Sequence, residues 1–159
     1  MDVKKAIKKL ESSQAFKEYK QDHPDSYMTH IFFMTGNGID IGYYTKKNNL
    51  MASFNTKDQV TKVVEEQPFQ KTEQTIKPLI MNMVHVDMEE ALETAVALQK
   101  EKYSVEQINK EIIILQELDE IGLVYNITFI TETFKTLNIK IDAKNKKIVH
   151  DHLVSLISF

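Results

Sequence analysis

Near the end of the chain two histidines stand two positions apart, in the run Val149-His150-Asp151-His152-Leu153. On an extended strand alternate side chains share a face, so both imidazoles point one way and Asp151 the other. Two such rings can share a divalent metal, but a site also needs a third ligand and groups that hold the rings in place. His150 and His152 are therefore the candidate metal ligands, and a polar pair on an edge strand is the alternative. His23, His30 and His85 each stand alone in the sequence. A lone histidine is more often a hydrogen-bonded structural residue than a catalyst.

A second set of polar residues lies just upstream. Asn126 and Thr128 alternate along one predicted strand, and Asn138, Lys140 and Asp142 along the next. Together these five form the candidate ligand-binding residues, the floor of a groove for a peptide or small molecule, with Asp40 and Tyr44 in similar places earlier in the chain. The alternative is an ordinary solvated sheet face. Asn126-Ile127-Thr128 also matches a glycosylation acceptor, but its place inside a strand favours plain alternation.

Composition removes much other chemistry. The chain has no cysteine, which excludes disulfides, thiolate metal sites and cysteine nucleophiles. Its basic residues are all lysine, so bidentate guanidinium clamps are missing. The four glycines, at 36, 38, 42 and 122, form neither a dinucleotide fingerprint nor a phosphate loop. No cofactor is expected. A net charge of -3 gives no strong attraction to nucleic acid or to an anionic membrane. No run approaches the roughly 18 apolar residues of a membrane helix. A cytoplasmic protein of one domain, 1–159, is the expectation.

These candidates must be positioned by a small set of elements. Residues 2–21 read as helical, with Ser12 and Ser13 dividing them into two short helices. Tyr27 to Thr35, 39–45 and 50–55 read as strands, the first two joined by Asn37-Gly38 as a type I′ turn with positive φ at both residues. Thr56-Lys57-Asp58-Gln59 resembles a capping box ahead of Val60, Val63 and Val64, which predicts a helix over 57–66. The stretch 68–86 is irregular, with Ile80, Met81, Met83 and Val84 expected to pack across the core. Asp87 caps a helix whose Met88, Ala91, Ala95 and Leu98 share one face. A strand over 111–118 and a three-stranded meander over 123–157 follow.

Setting Tyr27 on Tyr125 keeps the strands in phase at an offset of 98 positions (125 − 27). That alignment pairs Ile39, Ile41 and Tyr43 with Leu137, Ile139 and Ile141, and it sets His150 and His152 on Ala52 and Phe54. It predicts a duplicated helix-plus-meander unit, 1–66 and 87–159, joined by 67–86.

The second unit resembles PepSY modules. The resemblance runs over 87–153 and rests on the helix opening Asp87-Met88-Glu89-Glu90-Ala91 and on Ile141-Asp142-Ala143-Lys144-Asn145-Lys146-Lys147-Ile148-Val149, where Asn145-Lys146 replaces the family's usual Thr-Gly. It implies a cystatin-like α+β fold, helices packed on one face of a curled antiparallel sheet. It also implies a non-enzymatic module that binds or restrains peptidases or senses ligands, with no catalytic motif to carry over. The functional expectation is a binding or regulatory module that takes a protein, peptide or small ligand on its sheet face or an edge strand, with a homodimer through that edge as one outcome. The alternative is a small cystatin-like enzyme or pocket centred on a histidine, His30 or the His150/His152 pair.

Overall fold

The computed structural model describes residues 1–68 and 75–157. Part of the joining segment 67–86, residues 69–74, thus lies outside the described residues. The fold is α+β: among the described residues three α-helices pack on one face of an eight-stranded antiparallel sheet.

Helix α1 (Val3–Glu11) starts where Asp2 accepts the Lys5 amide, and α2 (Gln14–Asp22) starts where Ser13 accepts that of Phe16. The Ser13 hydroxyl also donates to the Leu10 carbonyl at 2.6 Å, so one residue ends the first helix and begins the second. Strands β1 (Tyr27–Met34) and β2 (Gly38–Thr45) follow. Their loop departs from the type I′ expectation. Met34 pairs with Gly38 across three loop residues, and Gly36 and Gly38, not Asn37, take positive φ.

After β3 (Leu50–Asn55) comes a correction, because 61–66 is strand β4 (Thr61–Glu66) and not part of a helix. Thr56, read as the helix cap, instead gives both its amide and its hydroxyl to the Ile39 carbonyl at 2.9 Å. Pairing with the open edge of β3 then outweighs a weak local helix signal. The irregular stretch contributes a 3₁₀ turn (Met81–Met83). Leu79 and Val86 are buried there and Met81 and Val84 pack on the core, whereas Ile80 and Met83 are exposed, contrary to expectation.

Helix α3 (Met88–Lys102) carries a complete capping box: Asp87 accepts the Glu90 amide at 2.8 Å and Glu90 accepts that of Asp87 at 3.1 Å. Strands β5 (Ile108–Leu118), β6 (Gly122–Thr131), β7 (Lys135–Asp142) and β8 (Ile148–Ser155) complete the chain. The sheet order is β4-β3-β2-β1-β5-β6-β7-β8, a palindrome in which two four-stranded meanders meet at the β1–β5 seam.

That seam sets the offset of 98 against the strand order. By position β1 answers β5, β2 answers β6 and β3 answers β7, whereas the 98-residue alignment sets β1 on β6 and stays one strand out. Alternation has a period of two, so a wrong strand pairing can keep its phase. The topology matches α1 to α3 at an offset of 85 (87 − 2), at which Asp2 and Asp87 are both N-caps and buried Val3, Ala6 and Leu10 fall on buried Met88, Ala91 and Ala95. That offset does not carry through β1 and β2, where buried Ile31 and Ile41 would fall on half-buried Gln116 and Asn126. At the same offset Ala52 and Phe54 fall on Leu137 and Ile139, all buried.

The core lies between the helices and one sheet face. Phe16 and Tyr19 of α2 pack on Tyr43 and Phe54, with ring centroids 4.9 Å (Phe16–Tyr43) and 5.1 Å (Tyr19–Phe54) apart. Ala91 and Ala95 are fully buried, and their small side chains bring α3 close to the sheet. Gln99, also buried, donates to the carbonyls of Tyr103 and Glu106 and so closes the C-terminal end of α3.

Candidate functional site

The helix-free sheet face is built by the residues between the core positions. Register places Phe32 opposite Ile114, Ile114 opposite Asn126, Asn126 opposite Lys140 and Lys140 opposite His150. The adjacent row runs Met34, Ile112, Thr128, Asn138, His152. Each row therefore passes from apolar at the β1–β5 seam, through amides and a lysine, to a histidine at the β8 edge.

Four of the five predicted ligand-binding residues come together on this face. Asn138 Nδ2 donates to Asn126 Oδ1 at 2.7 Å and to Thr128 Oγ1 at 3.0 Å, and Lys140 Nζ donates to Asn138 Oδ1 at 2.7 Å. Burial lowers the Lys140 pKa from its usual value. Asp142 is used differently: its Oδ1 accepts the amides of Lys144 and Asn145, which makes it a turn residue. Asp40 and Tyr44 also lie on this face, bonded to Asn55 and Asn49.

The sequence reasoning missed the apolar part, Phe32, Met34, Ile112 and Ile114, all half-buried. A signal existed. Ile31-Phe32-Phe33-Met34 and Ile112-Ile113-Ile114 do not alternate, which marks strands apolar on both faces.

His150 and His152 lie side by side on exposed β8, ring centroids 6.2 Å apart. They do not share the environment of Ala52 and Phe54, which are core residues. Among the described residues no group of three or more His, Asp or Glu side chains is placed to hold a metal. Asp151, pointing to the helix side, accepts Lys102 Nζ at 2.7 Å and the Tyr103 hydroxyl at 2.5 Å, which ties β8 to the end of α3.

His30 is a packed residue on the same face. Its Nδ1 lies 2.9 Å from Thr29 Oγ1, and its ring covers Gly42 on the neighbouring strand. Burial lowers its pKa, opposed by the nearby Asp40 carboxylate.

A half-open cleft of about 550 Å³ lies elsewhere, where α1 and α3 begin, and Met81, His85, Asp87, Glu89, Glu90 and Tyr125 line part of it. Its carboxylates are occupied: Asp87 and Glu90 cap each other, and Glu89 lies 3.8 Å from the terminal amine.

The acid response follows from these groups. His30 has a lowered folded pKa, so its share of stability is present above the unfolded histidine value of about 6.5 and is lost as pH falls through the folded value. The Asp151 carboxyl is lowered by hydrogen bonds from Lys102 and Tyr103, and that of Glu106 by hydrogen bonds from Lys135 and Thr133. Their share is lost below about pH 4, as pH falls through their folded values. Urea midpoints against pH should therefore drop in two steps. In His30→Ala the upper step should vanish while the lower remains; a single step in the wild-type chain would contradict the assignment.

The same architecture occurs in a solved protein. A crystal structure of a putative lipoprotein from Clostridium difficile 630 superposes with a TM-score of 0.56 and 14% identity, over 88% of this chain and 90% of that one. At that identity the likeness concerns the fold. No protein-family model and no curated protein matches the sequence. Among the described residues no helix is long and apolar enough to cross a membrane.

Proposed function

We propose that the protein is a non-enzymatic binding module that takes a protein or peptide on the helix-free face of its sheet. One observation carries this reading: Phe32, Met34, Ile112 and Ile114 lie at the centre of that face, away from the helices that cover the core. An apolar centre with a hydrogen-bonded polar surround is the usual composition of a recognition patch. The amide ladder of Asn126, Thr128 and Asn138 offers polar groups beside it.

The resemblance of 87–153 to PepSY modules supports the same reading. Lys146 takes φ 67° at the place where that family has glycine, so the turn keeps the backbone the family motif calls for while the residue differs. On this proposal both halves are cystatin-like units, and the partner is a peptidase or another protein held on the sheet. Neither His30 nor the His150/His152 pair lines the α1–α3 cleft, so that cleft lends the histidine-centred enzyme no support.

Capture from the native host tests the proposal quantitatively. Ile114→Lys places a charge in the apolar centre, whereas Glu93→Lys changes the exposed side of α3. The expected result is a partner retained by the wild type and by Glu93→Lys and lost with Ile114→Lys, at unchanged thermal stability. Retention by Ile114→Lys and loss by Glu93→Lys would move the binding surface to the helices.

A further inference from the structure

Strand β8 is one of the two ends of the sheet. Leu156 donates its amide to Phe134 on the β7 side, so by alternation His150, His152 and Val154 also bond toward β7. The amides and carbonyls of Asp151, Leu153 and Ser155 then face the open edge. Exposed apolar side chains concentrate on the same segment, with Val149, Val154 and Leu156 exposed by 46%, 45% and 58%. An unpaired edge strand that exposes apolar side chains is a template for another strand.

The metal pair on this strand is half of a site. Two exposed imidazoles face the same way, and among the described residues no third His, Asp or Glu joins them. A two-fold antiparallel pairing of β8 with β8 of a second copy, centred on Asp151, supplies what is missing. His150 then lies directly opposite His152 of the second copy, and His152 opposite its His150. These are non-hydrogen-bonded pairs, the closer kind, with Cβ atoms about 4.5–5.5 Å apart. Four imidazoles converge on one face, the number a tetrahedral zinc takes.

The register follows from the side chains. Sliding it by two residues would set Asp151 opposite Leu153 and His150 opposite Val154 in one direction, or Asp151 opposite Val149 and His152 opposite Ile148 in the other, polar against apolar in both. Centred on Asp151, the two carboxylates do meet on the helix side, but each already carries its own Lys102 and Tyr103 hydrogen bonds. Lys140, beside His150, is engaged by Asn138.

We propose that β8 is a metal-closed dimer strand, in which His150 and His152 of two copies bind one zinc-class divalent ion and join two sheets edge to edge. This goes beyond the binding face proposed above and stands without it.

Sedimentation of the full chain with zinc sulfate or with EDTA tests it. The expected result is a zinc-dependent dimer holding one zinc per two chains, reverting to monomer in EDTA. His150→Ala and His152→Ala should each lose both the dimer and the zinc while melting like the wild type. The register has its own readout, since the chain contains no other cysteine. A mixture of His150→Cys and His152→Cys chains should cross-link on mild oxidation, and faster than either variant alone. One zinc per monomer, no zinc uptake at 100 µM (roughly a hundred times a micromolar affinity), a dimer indifferent to EDTA, or faster cross-linking of either cysteine variant alone than of the mixture would each overturn the proposal.

Discussion

Phe54→Ala is expected to destabilise the protein by about 3–5 kcal/mol, the range for removing a buried aromatic ring from a packed core. Phe54 is 0% exposed and lies under α2, touching Phe16 edge-on at 5.6 Å, with Tyr19 and Tyr43 around it. Its loss opens a cavity that the helix cannot fill, because α2 is fixed by the Ser13 cap at one end and by strand β1 after the other. Urea denaturation followed by circular dichroism gives the value. The double variant with Phe16→Leu should cost less than the sum of the two single variants, since the rings share partners. A loss under about 1 kcal/mol would mean that α2 is not seated on β2 and β3 as described.

The second large effect is at Gly42. A Cβ there would lie 2.1 Å from His30 Cε1, closer than any packed contact tolerates. Gly42→Ala should therefore cost roughly 1–3 kcal/mol, the usual range for overpacking. Because the obstacle is the ring itself, the same change in a His30→Ala background should be close to neutral. The comparison of the two backgrounds decides the point. An equal cost in both would place the requirement for glycine in the backbone and not in the imidazole.

Some of this architecture was legible in the residues and some was not. The caps announced themselves: Ser13 divides α1 from α2, and Asp87 with Glu90 opens α3. Strict alternation in Ile39-Asp40-Ile41 and in Leu137-Asn138-Ile139-Lys140-Ile141 separated core from solvent correctly, and so it located Asn126, Thr128, Asn138 and Lys140 on one face. What alternation does not carry is which strand lies beside which. The 98-residue alignment keeps phase and still sets β1 on β6, one strand away from β5, its counterpart across the seam.

Strand β4 was misread for a related reason. Thr56-Lys57-Asp58-Gln59 satisfies a local helix rule, while the backbone groups of β3 that attract 61–66 are distant partners that no local pattern records. The apolar centre of the outer face was hidden in plain runs. Ile112-Ile113-Ile114 reads as part of a strand without alternation, and it takes the register to divide it into a core residue and two on the outer face. Whether His150 and His152 share surroundings with other ligands is likewise a matter of sheet position, not of spacing.

If the helix-free sheet face is the recognition surface, a photo-crosslinking scan in the native host should find the partner there. Benzoylphenylalanine placed singly at Phe32, Ile114, Asn126 and Lys140 samples that face; at Lys17, Glu93 and Lys100 it samples the exposed helix side. One discrete adduct is expected, shared by the sheet positions and strongest at Ile114. An adduct from the helix positions with none from the sheet would contradict it.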